Sequence, residues 1–202
     1  MEFGNLTEVA RGKNFKIFDS KEIVLGISVP SGAGFSRKQI DDLIEFSKSH
    51  EEGANGVVWV KHDEEGTFKS SVDKFFNAKD FSMWAKILIC KPGDLMLVIS
   101  GQKTEVYKQL SLLRIEVANR LGLKNNKEFA PLWITDFPLF NWSEEKNGFD
   151  SVHHPFTAPK DEDLELLEKN PELVKSKAYD LVLNGNEIGG GSIRIHKENI
   201  QR

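Results

Sequence analysis

The sequence predicts an α+β fold in two parts, with sheet on one side and helices on the other in the first part. The observations behind this are two β-rich runs, residues 24–29 and 56–61, and a helical periodicity between residues 104 and 121. The charge balance also changes along the chain, since residues 1–127 carry a net charge of +2 and residues 128–202 one of −6. We therefore expect one domain over residues 1–127 and a second over residues 128–202.

The overall composition is typical of a globular protein. Of the 202 residues, 39% are hydrophobic and 29% are charged, with a formal net charge of −4. This balance argues against wholesale disorder and against a strongly basic nucleic-acid-binding chain. Cys90 is the only cysteine, so neither an internal disulfide nor a cysteine zinc cluster is expected. No apolar run approaches the roughly 18 residues of a membrane span, and we expect a cytoplasmic protein that does not associate with membranes.

The first part is expected to alternate strands and helices. Residues 36–39 have the S-x-x-Q form of a capping box, which predicts the start of a helix. Two extended segments, 87–90 and 94–99, are expected on either side of a Pro-Gly turn. From residue 104 to 121 the apolar residues recur in steps of three and four, which predicts a long amphipathic helix.

The loop Ser31-Gly32-Ala33-Gly34 allows two interpretations. A glycine-rich turn before a helix can cradle a phosphate with its backbone N–H groups. However, the loop lacks the complete G-x-G-x-x-G and P-loop patterns, and glycines are common in such turns for steric reasons alone. The steric interpretation is the simpler one.

In the second part, Asn184-Gly185 is a strong signal for a two-residue hairpin turn. With this turn, Val182 faces Glu187 and Asp180 faces Gly189. Asp180 and Glu187 then lie on the same face of the hairpin as diagonal neighbours, typically about 7–8 Å apart.

Two carboxylates at this separation suit Mg²⁺ together with a nucleotide phosphate, because Mg²⁺ is usually held by one or two carboxylates plus phosphates. Strict alternation puts Gly189 and Gly191 on the same face, where they would leave a flat floor for a ligand. The competing interpretation is a pair of solvated acids on an edge hairpin.

Arg194 does not fit strict alternation, which places it with Ser192 and Gly190 on the face opposite Glu187. For Arg194 to share a site with the acids, the run Gly189-Gly190-Gly191 must contain a β-bulge. His153 and His154 are adjacent in an expected loop, so at most one of them faces a given site.

These residues carry a resemblance to a known family. The segments PLWITDFPLF, HHPFTAPKD and AYDLVLNGNEIGGGSIRIH resemble bacterial-type aspartyl-tRNA synthetase, in that family's order and spacing. The segments FGNLTEV, VPSGAGFSRKQIDDL and GVVWVK resemble the GAD insertion domain of the same enzymes. The resemblance implies a GAD-type domain over residues 1–127, with an antiparallel sheet and helices on one side of it. Residues 128–202 would then be part of the antiparallel sheet of a class II synthetase catalytic domain.

The resemblance also implies roles for individual residues. Asp180 and Glu187 match the acids that hold Mg²⁺ and ATP, and Arg194 matches the arginine that binds the side-chain carboxylate of the substrate aspartate. His153 matches a histidine that contacts aspartate from a mobile loop, on which His154 is its neighbour. The floor of the adenylate pocket is matched by Gly189, Gly190, Gly191 and Ser192.

The family activates L-aspartate with ATP to aspartyl-adenylate and transfers the aspartyl group to tRNA, usually as a homodimer. This chain lacks the OB-fold for the anticodon and the class II motifs 1, 2 and 3. We therefore expect an internal fragment of a ligase, inactive alone and without tightly bound Mg²⁺ or ATP. The alternative is a stand-alone, non-catalytic GAD-type module that binds tRNA or a protein.

Overall fold

The computed structural model describes residues 1–49, 56–125 and 127–201 and divides into two compact units, residues 1–124 and 125–202. This division lies close to the boundary expected after residue 127. The assignment of the units to a GAD-type domain and a partial catalytic domain stays a prediction. None of the helices in the described ranges is long and apolar enough to cross a membrane.

The described part of the first unit contains five strands and five α-helices, with a 3-10 turn at Gly32–Gly34. In chain order these are β1 (Gly4–Asn5), α1 (Thr7–Ala10), α2 (Lys16–Asp19), β2 (Ile23–Val29), α3 (Arg37–Lys48), β3 (Val58–His62), β4 (Phe68–Ser70), α4 (Ala78–Ile87), β5 (Leu95–Gly101) and α5 (Lys103–Arg120). The strands form one antiparallel sheet in the order β1-β2-β5-β3-β4.

Helices cover both faces of this sheet. Every residue of β2 and β5 is buried, and because successive side chains of a strand point to opposite faces, both faces need a covering layer. Side chains of α3 and α5 pack with one face, and side chains of α1, α2 and α4 pack with the other. The α+β class and the antiparallel sheet are confirmed, whereas the expectation of helices on one side only is wrong.

Helix α4 explains this difference. The sequence predicts an extended segment over residues 87–90, but residue 87 is the last residue of α4 and residues 88–89 form a turn. Helix α4 packs against the face of the sheet opposite α3 and α5. Asn77 caps α4 through a reciprocal capping box with Asp80. The predicted capping box of Ser36 and Gln39 at the start of α3 is of the same kind and is confirmed.

The loop before α3 supports the steric interpretation. The backbone N–H of Ser31 donates to Asp94 Oδ1 at 3.0 Å, so a protein carboxylate already takes this donor. The N–H of Ala33 donates to the carbonyl of Gly93. A Cβ on Gly32 would lie 2.7 Å from Leu95 Cβ, which accounts for the glycine without a phosphate.

Within residues 127–201 the second unit has five strands and one short α-helix. In chain order these are β6 (Pro131–Ile134), β7 (Phe140–Ser143), β8 (Gly148–Ser151), β9 (Ala178–Leu183), β10 (Asn186–Ser192) and α6 (Glu198–Gln201), with 3-10 turns at Asp161–Leu166 and Pro171–Leu173. The strands β10, β9 and β6 form an antiparallel sheet in that order, and β7 and β8 form a separate hairpin.

Candidate active site

The hairpin of β9 and β10 turns at Asn184-Gly185, as the sequence predicts. Both residues have positive φ angles, 51° and 84°, as a type I′ turn requires. The Asn184 side chain also anchors the turn to the segment before β6, because its Oδ1 accepts from the Ala130 N–H and its Nδ2 donates to the Glu128 carbonyl, each at 2.8 Å.

The register departs from prediction after the first two pairs. Glu187 faces Val182 as expected, but a β-bulge follows between Glu187 and Gly189. Ile188 is therefore an extra residue in β10, and Asp180 faces Gly190 instead of Gly189. The bulge required by Arg194 exists, but it lies just before the glycine run instead of within it.

The bulge moves alternate residues of β10 to the other face of the sheet. Gly190 and Ser192 now share the face of Asp180, while Gly189 and Gly191 belong to the opposite face. A Cβ on Gly190 would collide with Asp180 Oδ1, and one on Gly191 would lie 3.0 Å from the Tyr179 hydroxyl. The expected glycine floor of Gly189 and Gly191 beside the acids is thus wrong, and Gly190 takes this place.

The two acids keep their oxygens available. Asp180 is half-buried and Glu187 is exposed, and neither side chain forms a hydrogen bond or ion pair with another described residue. They are diagonal neighbours on one face, and the described residues contain no cluster of three or more His, Cys, Asp or Glu that could hold a metal ion. This donor set suits Mg²⁺, which takes one or two carboxylates and completes its shell with phosphate and water oxygens.

Arg194 joins this face through Thr157. Its Nη1 lies 3.5 Å from Thr157 Oγ1, which is also 3.4 Å from Ser192 Oγ. No carboxylate of the described residues forms an ion pair with Arg194. The guanidinium is therefore a cation held by a neutral hydroxyl, and it can bind an incoming carboxylate.

The two histidines lie on the turn that leads to Thr157. The ring of His153 packs edge-on against Phe137 with centroids 4.8 Å apart. His154 Nδ1 accepts from the Phe156 N–H at 3.1 Å, so this ring is tied to its own turn. The ring of His153 forms no hydrogen bond with the described residues, and no hydrogen bond or ion pair among them joins either histidine to Asp180, Glu187 or Arg194.

Thr157 was not among the predicted site residues. It is 2% exposed, and it lies in the segment HHPFTAPKD, where a hydroxyl between apolar residues is a signal for a buried polar contact. The structure thus brings Asp180, Glu187, Ser192 and Arg194 to one face, with Thr157 as the link between the last two.

Comparisons with known proteins identify the family of the chain. Residues 13–202 match the family model "tRNA synthetases class II (D, K and N)". The whole chain is 54% identical to the aspartate–tRNA ligase of Flavobacterium psychrophilum and 46% identical to that of Bacteroides fragilis, in each case over 34% of the relative. The ligase of Porphyromonas gingivalis is 43% identical over 35% of its length. The chain spans about a third of the length of the curated relatives it matches, the family resemblance is confirmed, and the chain belongs to the class II tRNA synthetases of the D, K and N group.

Proposed function

We propose that this chain is a segment of an aspartate–tRNA ligase and contributes part of the site that makes aspartyl-adenylate from L-aspartate and ATP. The observation that carries the proposal is the bulge at Ile188, which brings Arg194 to the face of Asp180 and Glu187. Without this extra residue the cation and the two acids would lie on opposite faces of a thin sheet.

Asp180 and Glu187 are proposed to hold Mg²⁺ and, through it, the phosphates of ATP. Bound Mg²⁺ would neutralise negative charge on the phosphate oxygens. The contribution of the chain itself is to keep two unpaired carboxylates on one face, where Gly190 leaves room for the carboxylate of Asp180. A side chain on residue 190 would push the Asp180 carboxylate from its place.

Arg194 is proposed to bind the side-chain carboxylate of L-aspartate. A guanidinium forms two parallel hydrogen bonds with a carboxylate, whereas asparagine presents an amide that offers only one acceptor oxygen. Because no protein carboxylate among the described residues neutralises Arg194, its charge is available for this substrate. The arrangement therefore favours aspartate over asparagine.

The remaining site residues are proposed to shape the adenylate pocket. Ser192 and Gly190 lie beside Arg194 and Asp180, and the ring of His153 is proposed to reach aspartate from its loop, with His154 fixing that loop through Phe156. In the reaction, the α-carboxylate oxygen of aspartate attacks the α-phosphorus and pyrophosphate leaves. The chain's residues act by positioning the reactants and do not transfer protons in this step.

The other two thirds of such a ligase are proposed to supply the rest of the reaction. We propose a cytoplasmic, homodimeric enzyme that uses tRNA, ATP and L-aspartate. The 202-residue chain by itself is proposed to have no ligase activity. The alternative, a stand-alone GAD-type binding module, gains no specific support, because the relatives named above match across the whole chain, including the second unit.

A chimaera tests this proposal. Residues 13–202 replace the corresponding segment of the Flavobacterium psychrophilum ligase, and aspartate-dependent ATP–pyrophosphate exchange is measured. We expect exchange that Arg194→Ala abolishes and that Arg37→Ala, a control on α3, leaves unchanged. If the folded chimaera keeps its exchange activity with Arg194→Ala, the proposal is wrong. Exchange activity of the 202-residue chain by itself would contradict the claim that this chain is inactive alone.

A further inference from the structure

The long, flexible side chain of Arg194 is hydrogen-bonded to Thr157. Arg194 is exposed, and within the described part of the chain its one side-chain hydrogen bond goes to Thr157 Oγ1, at 3.5 Å. A long exposed arginine samples many rotamers unless something holds it. The hydroxyl of Thr157 holds the guanidinium and leaves its positive charge intact. An aspartate or glutamate in the same place would neutralise that charge.

Thr157 is itself fixed by backbone and burial. It pairs with Arg194 in an antiparallel bridge, flanked by hydrogen bonds of 2.8 Å from the Ala158 N–H to the Ile193 carbonyl and from the Ile195 N–H to the Phe156 carbonyl. It is only 2% exposed, and its β-branched side chain has restricted rotation about χ1. The Oγ1 atom therefore has a defined position.

The same hydroxyl also lies within hydrogen-bond distance of Ser192. An arginine can only donate hydrogen bonds, so Thr157 Oγ1 accepts from Arg194, and its own hydrogen remains available for Ser192 Oγ at 3.4 Å. When Ser192 accepts in this way, its own hydrogen is free to donate to a ligand oxygen. The backbone N–H of Thr157 donates to the His154 carbonyl at 2.9 Å, which joins the histidine turn to the same point.

We propose that Thr157 is a positioning residue for substrate recognition, which holds the Arg194 guanidinium in a ligand-ready orientation and relates it to Ser192 and the histidine turn. This inference rests on the proposed function, in which Arg194 binds the side-chain carboxylate of aspartate. A hydrogen bond to a charged group that orders the binding cation in advance increases affinity for the substrate. It acts equally before and during the reaction, so its loss raises KM more than it lowers kcat.

The kinetic test uses the chimaera described above. Thr157→Val removes the hydroxyl while keeping the shape, Thr157→Ser keeps the hydroxyl, and Thr104→Val is a matched control at an exposed threonine of α5 whose side chain forms no hydrogen bond with the described residues. We expect Thr157→Val to raise KM for aspartate by about tenfold, with kcat and KM for ATP within about twofold. Thr157→Ser and Thr104→Val should match the parent.

The outcomes separate two kinds of failure. If Arg194→Ala abolishes exchange but Thr157→Val leaves KM for aspartate unchanged, the positioning role is wrong and the proposed function stands. If Arg194→Ala has no effect, the proposed function itself is wrong. A loss of kcat in Thr157→Val that Thr157→Ser does not rescue would indicate a structural role, which also contradicts the inference.

A second measurement does not depend on activity. In the 202-residue chain with ¹⁵N-labelled arginine, rotation of the Arg194 guanidinium is followed by NMR in the parent and in Thr157→Val, Thr157→Ala and Thr157→Ser. We expect faster rotation in the first two variants and parent-like rotation in the third; two apolar variants are used so that misfolding of one leaves the other as the test. Equal rotation in the parent and the apolar variants overturns the inference.

Discussion

The carboxylate of Asp180 lies against the backbone of Gly190, in the space where a Cβ on residue 190 would stand. The backbone carbonyl of Tyr179 in β9 is 3.2 Å from the same point, so this space is bounded by a side-chain carboxylate and a backbone carbonyl. Gly190→Ala should therefore displace the Asp180 carboxylate, because a side chain moves more easily than the backbone of a paired strand. We expect KM for ATP of the chimaera to rise by about tenfold or more, measured at several Mg²⁺ concentrations.

Gly189→Ala is the matched control for this prediction. A Cβ on Gly189 meets no atom within 4 Å, although Gly189 is the adjacent residue of the same strand. We expect no change in KM for ATP and a free energy of unfolding that is unchanged or about 0.4–1 kcal/mol higher, because alanine restricts the unfolded chain. Equal effects of the two substitutions would contradict the pairing of Gly190 with Asp180.

Local signals predicted those parts of the fold that depend on neighbours in sequence. The capping box at Ser36, the helix between residues 104 and 121 and the turn at Asn184 are all confirmed. The bulge at Ile188 could not be located in the same way. Its position depends on the pairing of β10 with β9 and on contacts of residues 192–194 with Thr157, which are distant in sequence.

Helix α4 was missed for a different reason. Asn77 and Asp80 form the same kind of reciprocal box as Ser36 and Gln39, so a start signal was present in the sequence. The Pro-Gly turn at residues 92–93 favoured an extended segment before it instead. The continuous apolar character of β2 also indicates a strand buried on both faces, which requires a second layer of helices such as α4.

The glycines before α3 give a second prediction. A Cβ on Gly32 would lie 2.7 Å from Leu95 Cβ and 2.9 Å from Val29 Cγ1, both in the buried sheet, whereas one on Gly34 meets nothing within 4 Å. Gly32→Ala should lower the free energy of unfolding by about 1–3 kcal/mol through overpacking, and Gly34→Ala should change it by less than about 0.5 kcal/mol. Urea unfolding of the chain measures both. A phosphate-binding role for the loop would instead require inorganic phosphate to stabilise the parent, which we do not expect.

The ion pair of Asp80 and Lys13 makes the stability of the first unit depend on pH. Asp80 is buried at the start of α4, and its Oδ1 lies 2.7 Å from Lys13 Nζ. Burial by itself would raise the pKa of Asp80, but the hydrogen bond from the Asn77 N–H and the Lys13 ammonium hold this pKa below its ordinary value. Since the folded-state pKa is depressed, the stability from Asp80 is present above the unfolded-state pKa of about 3.9 and is lost as the pH falls through the folded-state value.

Asp80→Asn should therefore lower the free energy of unfolding by about 1–3 kcal/mol at pH 7 and reduce its loss on acidification below about pH 4. Asp41→Asn is the control, because Asp41 forms an exposed pair with Arg37 on α3 and should contribute less than about 1 kcal/mol. Urea unfolding at a series of pH values gives the free energy of unfolding of each variant and of the parent as a function of pH. Parallel pH profiles of Asp80→Asn and the parent would contradict the assignment.

Cys90 should react slowly in the folded chain. Burial raises the pKa of the Cys90 thiol to about 11; a hydrogen bond from Ser28 lowers it and the nearby Asp94 charge raises it further. Because the thiolate is the reactive form, a pKa about two units above the ordinary value lowers the reaction rate near pH 7.5 by about a hundredfold. Iodoacetamide labelling, followed by intact mass, should be about a hundredfold slower in buffer than in urea, and equal rates would contradict the raised pKa of the half-buried Cys90.

The two units should differ in resistance to protease, because they differ in buried apolar surface. Two large clusters of buried side chains cover the sheet of the first unit, and both Trp59 and Trp84 belong to them. In the described part of the second unit the buried hydrophobic residues are Leu139, Ala158, Val174 and Ala178. Trp133 and Ile188 on its sheet are 61% and 57% exposed.

Few buried contacts mean easier local opening, and protease cleaves the opened state. We therefore expect thermolysin to cut first within residues 125–202 and to leave a stable product near residues 1–124, identified by mass. The fluorescence of buried tryptophans should persist in this product, because Trp59 and Trp84 both lie in the core of the first unit. Uniform degradation of both units would show that the second unit is as stable as the first.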